Sequence, residues 1–139
     1  MVKILVPTDY SECSLNALRH AAVLARGGNG SLVILNVVES GSPFLLPDSA
    51  AESDPLRHDA EVLLQSFADG DPPLQYEERR VEGVPVSAIL NAAKEVQADL
   101  IVMGTTGRTG LRRLLMGSVA EEVCRRAPCP VLTLKPTPT

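Results

Sequence analysis

The residues best suited to chemistry lie in one segment, Gly104-Thr105-Thr106-Gly107-Arg108-Thr109-Gly110-Leu111-Arg112-Arg113-Leu114-Leu115-Met116-Gly117-Ser118. Gly104 and Gly107 carry no Cβ, so the sugar and phosphates of a ligand can approach the backbone closely. Gly117-Ser118 opens a helical pattern, where free N–H groups and the helix dipole favour an anion. Ser118 and Thr105 or Thr106 add hydroxyl donors. The chemistry is that of a phosphate cradle. A structural reading stands beside it, because Ser118-Val119-Ala120-Glu121 also has the spacing of a capping box. Ser118 and Glu121 would then only satisfy the helix's own first donors. Arg108, Arg112 and Arg113 would be solvated, and Gly110 would relax a turn. The two readings are compatible, since backbone N–H groups can hold phosphate while the hydroxyl changes partner.

Other chemistries lack their residues. No Gly-x4-Gly-Lys-Ser/Thr loop is present, and Gly28-Asn29-Gly30 precedes a strand, the wrong polarity for a dinucleotide turn. No Gly-x-Ser-x-Gly nucleophile elbow occurs. His20 and His58 are the only histidines. His20, within the first helix, reads as a packed or surface residue and not a base, and His58, which could approach a phosphate, reads better as part of a solvated helix face. Cys124-x4-Cys129 has no zinc spacing with partners. Cys13, just after the loop of Asp9, reads as a buried helix thiol in preference to a redox-sensitive one, and Asp48, Glu52 and Asp54 form no placed pair. No catalytic residue and no metal ligand set is expected, and with no group to activate a water, fast hydrolysis is not expected.

These residues need a scaffold, and the chain of 139 residues is long enough to bury one core as a single domain. Hydrophobic residues make up 45% and charged ones 22%, which excludes a disordered chain. With two Tyr, two Phe and no Trp, the core must be built from Val, Ile, Leu and Ala. A net charge of −4 argues against a nucleic-acid surface, though not against one basic pocket for a small anion. No apolar run approaches the roughly 18–20 residues of a membrane span. Met1-Val2-Lys3-Ile4-Leu5-Val6-Pro7 is too short and strand-like for a signal peptide. Three cysteines fit free thiols in a reducing interior, so a cytoplasmic location is expected.

Strands and helices alternate. Val2–Val6 is apolar on both faces, as a strand buried in a parallel sheet must be. Pro7-Thr8-Asp9-Tyr10-Ser11 makes a turn rich in capping residues, and a helix follows over about Ser11–Arg26. Ser31–Val38 is a second apolar strand. The Ser-, Pro- and Gly-rich stretch Glu39–Asp54 reads as a long loop. A helix over Pro55–Ala68 leads to a charged strand, Leu74–Val81, whose polarity suits a sheet edge. A helix over about Val86–Val96, a buried strand Ala98–Met103, a helix over Ser118–Arg126 and a last strand Val131–Leu134 complete the pattern. The class is α/β, a doubly wound parallel sheet with helices on both faces. Ligands in such sheets sit beyond the carboxyl ends of strands where the winding reverses, which selects Pro7-Thr8-Asp9 and the segment from Met103.

Over nearly its whole length the chain resembles the universal stress proteins, especially their ATP-binding type. Gly104-x2-Gly107-x9-Gly117-Ser118 matches that type's glycine motif completely. Ile4-Leu5-Val6-Pro7-Thr8-Asp9 with Ser11, Leu35-Asn36-Val37, Ala98–Gly104 and Ala127-Pro128-Cys129-Pro130-Val131-Leu132 extend the likeness. Asn36 stands where members often carry His. The resemblance implies one nucleotide-binding domain over residues 1–139, five strands in the order 3-2-1-4-5, and a homodimer pairing the last strands. It implies that Asp9 holds the ribose or nearby polar atoms, while Pro7, Thr8 and Val37 shape an adenine pocket. Met103 and Gly104 would line base and ribose, Gly107 and Gly117 would approach the phosphates, and Ser118 and Val119 would contact them. The implied ligand is ATP or another adenine nucleotide, with any metal a Mg²⁺ riding on the phosphates. The expected function is a nucleotide-dependent stress-response module. The alternatives are a slow ATPase or nucleotidyl-transfer enzyme, and a dimeric stress protein that binds no nucleotide.

Overall fold

The computed structural model describes residues 2–38, 55–106 and 117–136. Glu39–Asp54 and residues 107–116, with Gly107 among them, lie outside the described residues. Strand β1 (Lys3–Thr8) leads into helix α1 (Glu12–Gly27) and strand β2 (Ser31–Val38). Helix α2 (Pro55–Ala68), strand β3 (Gln75–Glu82), helix α3 (Pro85–Glu95) and strand β4 (Leu100–Gly104) follow. Helix α4 (Ser118–Arg126) and strand β5 (Val131–Leu134) close the order. The five strands pair in parallel in the order β3-β2-β1-β4-β5, as expected.

Alternation along the strands divides the core between the two faces. Ile4, Val6, Leu32, Ile34 and Val102 pack with Ala17, Leu18, Ala21 and Ala25 of α1 and Leu64 of α2. Leu5, Val33, Leu35, Ile101 and Met103 pack on the other face with Ile89 and Ala93 of α3 and Ala120 and Val123 of α4. Central strands apolar on both sides therefore reflect helices on both sides. The charged strand β3 lies at the sheet edge, where its exposed Gln75, Glu77 and Glu78 remain hydrated. Its bounds fall one residue later than expected.

Helix α1 begins where Ser11, in extended conformation, accepts a hydrogen bond from the Ser14 N–H. Helix α3 starts with Pro85, whose fixed φ suits the first helical position and whose missing N–H costs nothing there. Strand β4 starts at Leu100, two residues later than expected, and runs through Gly104. Asp99 instead clasps the start of β1: its N–H donates to the Lys3 carbonyl at 2.8 Å. Its Oδ2 accepts from the Lys3 N–H at 2.8 Å.

Candidate functional site

β1 and β4 are neighbours in the sheet, yet β1 continues toward β2 and β4 toward β5. The winding reverses between them. α1 leaves β1 on one face and α4 follows β4 on the other, so a crevice opens beyond their carboxyl ends. The structure brings Pro7-Thr8-Asp9 and Met103-Gly104-Thr105 to this place.

The loop after β1 is held by its own side chains. Asp9 is half-buried, and its Oδ1 accepts from the Ser11 N–H at 3.0 Å, fixing the turn. Thr8 is buried, its hydroxyl donating to Ser14 Oγ at 2.9 Å and accepting from the Tyr10 N–H at 3.0 Å. Ser14 Oγ in turn donates to the Ser11 carbonyl at 3.0 Å. Thr8 is thus committed to the start of α1, and what it offers the crevice is backbone. Tyr10 adopts a positive φ of 57° and packs against the α1/α2 core. The Arg57 guanidinium lies over its ring, 5.4 Å from the centroid. Burial pushes the Tyr10 phenol above its ordinary range, with Arg57 opposing.

On the other face, Met103 is buried in the α3/α4 core, and half-buried Val37 and Val119 pack against the same cluster. An apolar wall therefore joins the ends of β2 and β4 to the first turn of α4. Gly104 has a reason beyond ligand access, because a Cβ there would come 2.6 Å from Cys13 Sγ and 3.2 Å from the Cys13 carbonyl carbon. Helix α1 leans on this glycine. Cys13 is buried, as expected, and its thiol donates to the Leu134 carbonyl at 3.4 Å.

The start of α4 differs from a capping box. Its N-cap is Gly117, and Ser118 is the first helical residue and exposed. The shift follows from the Gly117 N–H, which donates to the Thr105 carbonyl at 2.6 Å, and from the Glu121 N–H, which bonds back to the Gly117 carbonyl at 3.0 Å. A glycine N-cap supplies no side-chain acceptor, so α4 starts without a side-chain cap. Thr105 beneath it is 3% exposed, and its Oγ1 has no hydrogen-bond partner among the described residues. Sequence reasoning offered Thr105 or Thr106 without choosing. The signal that selects Thr105 is its place one residue beyond a buried strand.

The remaining candidates stay apart from this crevice. His20 is exposed on α1, its Nδ1 2.9 Å from the Asn16 carbonyl, and His58 is exposed on α2. Cys124 is exposed and Cys129 half-buried, with burial and then Asp99 raising the Cys129 thiol. Among the described residues no group of His, Cys, Asp and Glu could hold a metal. No helix among them is long and apolar enough to cross a membrane.

A model of the universal stress protein family matches residues 1–135. The chain belongs to that family. A universal stress protein of Methanocaldococcus jannaschii, MJ0531, is 40% identical to it, the match covering 96% of this chain and 81% of the relative. Universal stress protein UspA from Lactobacillus plantarum shares the fold with a TM-score of 0.74 at 26% identity, covering 96% of this chain and 97% of its own. A universal stress protein in complex with cAMP aligns with a TM-score of 0.72 at 28% identity, covering 98% of each chain. Family and strand order agree with the resemblance drawn from the Gly104–Ser118 motif and the flanking strands.

Proposed function

We propose that this universal stress protein is an adenine-nucleotide-binding module, with ATP as ligand and a Mg²⁺ carried on the phosphates. The observation that carries the reading is the start of α4. An uncapped helix N-terminus, opened by a glycine, stands at the winding switch beside the one buried side-chain hydroxyl without a partner among the described residues. A phosphate group would satisfy those donors and the dipole. Gly117 is closely seated, since a Cβ there would lie 3.1 Å from the Thr105 carbonyl oxygen. The cAMP complex of a protein with the same fold supports the adenine part. In this reading Asp9 holds the ribose, while Pro7, Thr8 and Val37 shape the base pocket. Met103 and Gly104 line base and ribose, Gly107 and Gly117 come nearest the phosphates, and Ser118 and Val119 contact them. Residues 1–139 act as one nucleotide-binding domain, cytoplasmic and homodimeric through β5, and partners read the loaded state.

The test is mass spectrometry of ligand released by acid from the purified protein, followed by calorimetric titration with ATP and Mg²⁺. Released adenine nucleotide, or saturable binding below millimolar concentration that Gly117→Val abolishes, is the expected result. An empty protein that gives neither binding heat nor a thermal shift at millimolar ATP overturns the reading. A steady turnover of ATP that Asp9→Asn removes while binding survives would make the module an enzyme.

A further inference from the structure

Thr105 continues the pairing of β4 with β5, its N–H donating to the Leu134 carbonyl at 2.9 Å. β4 itself ends at Gly104, but Ile101 and Thr105 both turn their N–H toward β5, so the backbone of Thr105 keeps the facing of Ile101. Val102 faces the α1/α2 core, Met103 faces the α3/α4 core, and Gly104 turns back toward Cys13 of α1. The side chain of Thr105 consequently falls on the face of α4, while its carbonyl takes the N–H of Gly117 at the helix start. The other buried polar residues among those described, Thr8, Ser11 and Ser14, satisfy one another through their hydroxyls. A hydroxyl buried without a partner costs stability, and a valine of nearly the same shape would not incur that cost. Such a cost is typical of a group kept for a ligand.

We propose that Thr105 is a specificity-determining residue of the nucleotide site. Its Oγ1–H donates to an oxygen of the phosphate seated at the α4 N-terminus and so favours phosphorylated over unphosphorylated adenosine ligands. This rests on the adenine-nucleotide reading above and extends it to one hydroxyl. A hydrogen bond to a charged oxygen in a buried site is of the stronger kind, and its loss weakens binding by roughly tenfold or more.

The experiment compares the full chain with Thr105→Val and Thr105→Ser. Calorimetry measures ATP with Mg²⁺ and adenosine separately, and thermal unfolding is followed without ligand. Thr105→Val is expected to unfold at a higher temperature than the wild type when ligand-free. It should bind ATP about tenfold more weakly and adenosine unchanged, while Thr105→Ser keeps wild-type ATP affinity. A purely structural role would not separate ATP from adenosine. Wild-type ATP affinity in Thr105→Val, or equal losses for both ligands, overturns the assignment while leaving nucleotide binding intact. A wild type that binds neither ligand overturns the nucleotide reading and the assignment together. Should Thr105→Val fail to fold, Thr105→Ala provides the same comparison of the two ligands.

Discussion

At the scale of single residues, Gly104 shows how two demands converge on one position. The sequence suggests a glycine that lets a ligand approach, and the structure adds a helix pressed against it. Contact with Cys13 could not be read from the sequence, because it depends on how closely α1 seats on the sheet. Gly104→Ala should destabilise the protein by about 1–3 kcal/mol in urea unfolding, the usual cost of overpacking. Adding Cys13→Ala removes the sulfur at 2.6 Å but not the backbone carbon at 3.2 Å, so the double variant should recover part of the loss. Strict additivity of the two changes would show that the contact is not what Gly104 serves. Tyr10 gives a pH-dependent case. Burial favours its neutral phenol in the folded chain, so the folded state holds this proton more tightly than the unfolded state. The contribution is complete below the ordinary phenol value of 10.0 and is lost as pH rises through the higher folded value. Tyr10→Phe should therefore flatten the fall in unfolding temperature above about pH 10, leaving the slope due to the likewise raised Cys129 thiol. An unchanged alkaline slope in Tyr10→Phe would sink the assignment.

The elements were the most legible level, and the reasons differ between them. The apolar runs of β1 and β2 announced strands buried on both faces, and the charges of β3 announced an edge. The bounds of α2, α4 and β5 coincide with those read from the sequence because proline or glycine punctuates each approach. The cap of α4 was not legible. Ser118 and Glu121 have capping-box spacing, but the Gly117 N–H bonds to Thr105 across the loop and the cap falls on Gly117, one residue earlier. That tertiary hydrogen bond outweighed a local pattern. Helix α1 carries another demand that composition only hints at. Ala17, Ala21, Ala22 and Ala25 are all 0% exposed, so the helix backbone lies close against the sheet and holds the Asp9 turn over the crevice. Ala21→Leu should cost about 1–3 kcal/mol or more in urea unfolding, because the added carbons have no space to occupy. Ligand affinity in this variant should fall with helix position and not only with stability. A Leu accepted at Ala21 without loss would mean that the helix can lift, and that close seating does not position the turn.

At the scale of the whole molecule, the strand order was legible through the family resemblance, whereas composition and periodicity alone fixed only the class. Pairing partners depend on long-range packing that no local pattern encodes. The same order leaves β5 at an edge, with Leu132 38% exposed, and an apolar edge of this kind invites a second strand. The proposed homodimer can be tested there without disturbing the fold. The Ile101 N–H donates to the Pro130 carbonyl and the Thr105 N–H to the Leu134 carbonyl. With Met103 opposite Thr133, a parallel ladder gives β4 the backbone groups of Leu132 and turns those of Val131 and Thr133 outward. Thr133→Pro therefore removes an outward donor while every bond between β4 and β5 survives, and proline is tolerated on an edge strand in that orientation. Leu132 before it is already extended, as a residue preceding proline must be. Light scattering after size exclusion should show a dimer for the wild type and half that mass for Thr133→Pro, with unchanged circular dichroism. A monomeric wild type would remove β5 from the assembly question. A variant that stays dimeric would place the contact on another surface, since a strand pairing through Thr133 cannot survive the loss of its N–H and the bulk of the ring.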